Sequence, residues 1–130
     1  MIQKDYIERM ATQIAKMIAE LLGYDTSERL EHIDEIFHSM LDGELETLEN
    51  LDGAELINFL SESKSLQITE IELLANLLHL KGNTLVENEM EGFARKYWLK
   101  ALDLLNFVDQ EMDIFSMERR DVLADLKSKT

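Results

Sequence analysis

Glu35 and His38 stand three residues apart in the run EIFH, and Glu31 and His32 lie one helical turn before them. On a helix that spacing puts a carboxylate and an imidazole on one face, as in carboxylate-bridged di-iron bundles. Such a centre needs two Glu-x-x-His pairs and further carboxylates from four helices. Neither His32 nor His79 has a Glu three residues before it. Glu31, His32, Glu35 and His38 could together hold one divalent ion at a surface. The simpler reading is an exposed acidic helix face, and neither a metal nor another cofactor is expected.

The run Asp42-Gly43-Glu44-Leu45-Glu46 invites a calcium-loop reading. An EF-hand loop needs Gly at its sixth position and a bidentate Glu at its twelfth, and those positions hold Thr47 and Gly53. Nucleophilic catalysis has no better footing. The chain has no Cys, no Gly-x-Ser-x-Gly turn and no Ser or Thr with a discernible base partner. No glycine-rich phosphate loop is present. The residue types argue against an enzyme.

Asn76, His79 and Asn83 follow at spacings of three and four, which places them on one face of a helix. They form a polar stripe on an otherwise apolar segment and are the candidate binding residues. The competing reading is that they meet solvent or cap backbone groups. Tyr97 and Trp98 read as core at their helical spacing.

Helices must position all of these residues. The chain has 130 residues, no proline and only five glycines, and is 45% apolar. Leu, Glu, Ala, Lys and Met, all good helix formers, dominate it. One all-α domain over 1–130, with five or six helices, is expected. A first amphipathic helix is predicted over 2–22. Ile7, Met10, Ile14, Met17 and Leu21 form an a/d seam along it, widened by Ala11, Ile18 and Leu22, and Gly23 closes it. Two heptads are too few for an independent coiled coil, so the seam packs on the domain, on a second copy, or on both. A homodimer through this seam is expected. An acidic helical segment, 25–62, follows. In it a helix starts at an N-cap Ser27 and ends at Asp42-Gly43, and two short helical turns lie near 44–50 and 54–62. SESKS, 61–65, reads as the linker. The segment 69–128 holds three helices: 69–87, apolar on several faces and therefore central; 90–112; and one capped by Ser116.

Net charge is −14. Residues 1–23 are neutral, whereas 25–62 carry twelve acids against one base, Arg29. That surface repels phosphate backbones and anionic lipid, which argues against nucleic acid and membrane as partners. A basic protein or peptide suits it better. The charged N-terminus lacks the apolar stretch of a signal peptide, and no uncharged run approaches a membrane span in length. A soluble, cytoplasmic protein is expected.

Gly82, Ala94, Trp98, Ala101 and Leu102, with Leu78 and Leu85, are spaced as in the tetratricopeptide repeat, which the segment 75–108 resembles. Lys81 and Asn106 depart from that pattern. The resemblance implies an antiparallel helical pair whose first helix lines a groove. Repeats that capture peptide C-termini place Lys and Asn where His79 and Asn83 stand, so the resemblance to that clamp is incomplete. Residues 1–23, with Asp5, Tyr6, Ile7 and Arg9 close together, also resemble a family of uncharacterised small bacterial proteins ending in a repeat-like helical pair. That resemblance implies an all-α fold and a bacterial source, and brings no activity. The expected function is a non-catalytic protein–protein interaction or scaffold module. The alternatives are a self-assembling structural protein using the N-terminal seam and, more remotely, a metal-binding protein using Glu35 and His38.

Overall fold

A computed structural model of the chain describes residues 4–130. Among them are seven α-helices: α1 (Lys4–Leu22), α2 (Thr26–Met40), α3 (Leu45–Asn50), α4 (Gly53–Asn58), α5 (Ile68–Glu87), α6 (Ala94–Glu111) and α7 (Met117–Lys129). No strand is present among the described residues. The expected start of α1 at residue 2 lies outside them.

Local chemistry sets the helix ends. The cap of α2 is Asp25, not the expected Ser27. Asp25 is extended, and its carboxylate accepts from the Glu28 amide at 2.9 Å. A carboxylate also complements the positive end of the helix dipole. The Gln67 amide donates to Glu70 Oε1 at the start of α5, and Ser116 Oγ accepts from the Arg119 amide at the start of α7. SESKS is only partly a linker. Phe59–Ser63 continues α4 as a π-helical turn, with the Lys64 amide reaching the Phe59 carbonyl. Phe59 and Leu60 are buried there, and keeping them inward is what extends the helical path.

α5 is the central element, as a helix apolar on several faces should be. Leu74, Ala75, Leu77 and Leu78 are fully enclosed. α6 runs antiparallel to it. A Cβ at Gly82 would sit inside contact distance of the Trp98 ring, so the absent side chain is what admits the indole. α7 folds back along α5, parallel to it, through Arg119–Glu72, His79–Asp125 and the Lys129–Asn83 contact. α1 is also parallel to α5. Tyr6 meets Gln67 at one end, and at the other Arg29 joins the α1 carbonyls to Glu87. α2 lies antiparallel on α5, with Asp34 on Lys81 and Thr26 on Asn88. Lys100 of α6 is buried and donates to the Leu51 carbonyl and Asp52, pinning the α3–α4 junction. Among the described residues no helix is long and apolar enough to cross a membrane.

Candidate functional site

The polar stripe is four residues long. Glu72 precedes Asn76, His79 and Asn83 at helical spacing, and all four share the side of α5 that faces α1 and α7. α7 covers the C-terminal half of the stripe. His79 Nε2 lies 2.7 Å from Asp125 Oδ2. A carboxylate can only accept, so that nitrogen carries the proton. Asn83 Oδ1 accepts from Trp98 Nε1 at 3.1 Å and from Lys129 Nζ at 2.9 Å, which fixes the amide orientation. Its Nδ2 then faces the same His79 nitrogen at 3.3 Å as donor against donor. Burial holds the His79 imidazole below its ordinary pKa, against the opposing pull of Asp125. Asp125 is itself held low by Lys129 and His79, which outweigh its desolvation. His79 and Asn83 are therefore engaged within the chain and do not present a free clamp.

The N-terminal half of the stripe stays open. There α1 and the start of α7 stand apart, leaving a groove of about 820 Å³ with Glu72 and Asn76 on its floor. Asn76 Nδ2 donates to the Glu72 carbonyl of its own helix at 2.8 Å. The walls are Ile7, Ala11, Ile14, Ala15 and Ile18 of α1 on one side and Phe115 and Met117 on the other. A second depression of about 580 Å³ adjoins it, sharing Ile7 and Ile114 and bounded by the buried Ile71.

Arg119 shapes this groove. It is 3% exposed, with Nε on Glu72 at 2.7 Å and Nη1 on Asp109 and the Ile114 carbonyl, each at 3.3 Å. One guanidinium thereby ties the α6–α7 loop to α5. The residues it leaves outward, Phe115 and Met117, are 66% and 60% exposed.

The expected dimer seam is used within the chain. Leu21 belongs to the core, Ile14 is buried, Ile7 and Met17 pack against the core, and Met10 is half-buried. These contacts dock α1 on α5. The portion of α1 turned to solvent is the adjoining strip with Ala11 and Ala15, both exposed. That strip, of which the sequence reading named only Ala11, and the apolar Ile114, Phe115 and Met117 were the functional candidates missed from sequence. Small residues four apart beside the seam, and an Ile-Phe pair between two helices, were the signals that could have found them.

The acidic-face residues make local contacts. His32 Nδ1 is 3.6 Å from Glu35 Oε2 and its ring stacks on Tyr24, while the His38 ring lies beside Gly43. Glu31 is exposed. Lys64 reaches Glu44 at 2.9 Å and Asp42 at 4.0 Å. Among the described residues no three His, Asp or Glu side chains converge as a metal site would require. Comparison with protein-family models, curated proteins and solved structures gives no match to this chain.

Proposed function

We propose that the chain is a non-catalytic protein–protein interaction module that binds its partner in the groove between α1 and α7. The observation that carries this reading is the open apolar groove whose outer wall holds Phe115 and Met117 in solvent. Apolar side chains concentrated beside a concave surface mark interaction sites more often than chance exposure does. The polar floor at Asn76 would fix the register of a bound segment, so the stripe is retained in the site through that residue. His79 and Asn83 support it from beneath α7. The α5–α6 hairpin, closed by Gly82 against Trp98, is the part that a tetratricopeptide-like unit would supply.

The test is site-specific photo-cross-linking in the cell of origin. A photoreactive residue at position 15 or 117 is expected to give the same discrete heavier adduct, absent when the probe is at exposed Glu46. Cross-links confined to the chain itself, or an identical diffuse pattern from all three positions, would overturn the reading.

A further inference from the structure

We infer that the groove takes one α-helix of a partner protein, amphipathic and cationic on its flanks. This rests on the proposed interaction function and names the class of partner. Three features of the groove lead to it.

The first is backbone chemistry. The α1 wall and the α5 floor are helices, whose amides and carbonyls are already paired along their axes, and the opposite wall is the short α6–α7 loop leading into the first turn of α7, with no strand among the described residues. The groove thus offers no strand edge for an extended peptide. A segment laid into an apolar groove must satisfy its own backbone polar groups, and a helix does so internally. The second is shape. Ala11 and Ala15 lie one turn apart on the exposed side of α1 and leave a shallow furrow that lets a second helix approach. From Ile7 to Ile18 the α1 wall runs roughly 16 Å, about three turns. Phe115 and Met117 then stand opposite the furrow, placed to pack between side chains at i, i+3, i+4 and i+7 of the bound helix.

The third is charge. Apart from Glu8 and the buried Glu72–Arg119 ion pair, whose charges cancel, the charged residues lining the two joined depressions are the acids Glu111, Asp113 and Glu118. Arg119 is buried and held by Glu72 and Asp109, so it offers no charge to a ligand. The rim is therefore acidic around an apolar centre, on a chain of net charge −14. Lys and Arg flanking an apolar face complement it, whereas a second copy of this chain would bring like charge to the same rim.

The test uses the whole chain and three labelled synthetic peptides of about sixteen residues, enough to span the three-turn groove with about one turn to spare. One places Leu along a single helical face with Lys elsewhere. The second has the same composition with Leu scattered around the helix, and the third has Glu in place of Lys. Fluorescence anisotropy should show the first peptide binding at least tenfold more tightly than either control, with affinity falling as salt rises. Ala15→Arg, at an exposed position, should weaken it about tenfold or more, as should Met117→Ser; Glu46→Gln on α3 should leave it within about twofold. Equal binding of the scattered peptide, or indifference to both groove variants, would overturn the inference. So would sedimentation at twice 15.1 kDa that reverts in Ala15→Arg, since the groove would then hold a second copy. Binding of the chain to zwitterionic vesicles through Phe115 and Met117, without peptide selectivity, would overturn it in favour of a lipid surface. If the cross-links from positions 15 and 117 appear but map to a non-helical or acidic segment, the partner class fails while the interaction function stands.

Discussion

Among the described residues buried polar side chains are almost all answered, and the exception is informative. The Thr69 hydroxyl is enclosed near the start of α5 with no hydrogen-bond partner. Leaving such a group unpaired costs about 1–3 kcal/mol, and Thr and Val have nearly the same shape. Thr69→Val is expected to raise stability by about 1 kcal/mol, read from the urea midpoint at unchanged slope. His79 makes a second prediction. Its folded-state pKa is depressed by burial, from an ordinary value of 6.5. As pH falls through that value, the unfolded chain takes up a proton that the folded chain resists, so stability is lost. It is fully present above pH 6.5 and declines below it until the folded imidazole also titrates. An NMR titration should place the His79 midpoint under 6.5. Denaturation between pH 7.5 and 5.5 should show a slope that His79→Gln reduces. Tyr97 is shifted in the other direction. Burial and the Glu49 carboxylate, whose two oxygens its hydroxyl approaches at 2.9 Å, hold the phenol protonated.

Between elements, the tightest constraint is the α5–α6 crossing. Gly82→Ala would drive a methyl group into the Trp98 ring and is expected to cost about 1–3 kcal/mol. Trp98→Leu in the same chain should recover part of that loss, and a double-mutant cycle by chemical denaturation measures the coupling. Purely additive costs would show that the indole moves aside freely. The long helices were legible in sequence because each carries an apolar face at helical spacing over several turns, and α5 announced its central place by being apolar on several faces. The tetratricopeptide resemblance, carried by Gly82, Ala94, Trp98 and Ala101, implied an antiparallel pair over this segment. The π-helical turn at Phe59–Ser63 was hidden, since SESKS is polar and only the burial of Phe59 and Leu60 draws it into the helical path. Of the candidate site, spacing alone aligned Asn76, His79 and Asn83. It could not tell that Asp125 and Lys129, some 46 residues later, would take up two of them and leave one open.

For the molecule as a whole, an excess of acid works against compaction. With a net charge of −14 and few bases in 25–62, the folded chain repels itself. Added monovalent salt screens this, so the melting temperature is expected to rise between low ionic strength and about 0.3 M, where the Debye length falls to roughly 6 Å. A flat or falling curve would indicate that ion pairs such as Lys81–Asp34 contribute more than the repulsion removes. The fastening of α1 carries a last consequence. Arg29 donates to the Leu21 and Tyr24 carbonyls, but its hold on α5 is through Thr84 and Glu87, and Tyr6 reaches Gln67 across 61 positions. α1 therefore leaves the ribosome well before the helix it rests on exists. At about 5–20 residues per second the delay is roughly 3–12 s, during which the apolar stripe of the nascent chain lacks its α5 support. Slower translation lengthens that interval, in which the near-neutral first helix depends on the acidic segment 25–62, emerging ahead of α5, to keep neighbouring copies apart.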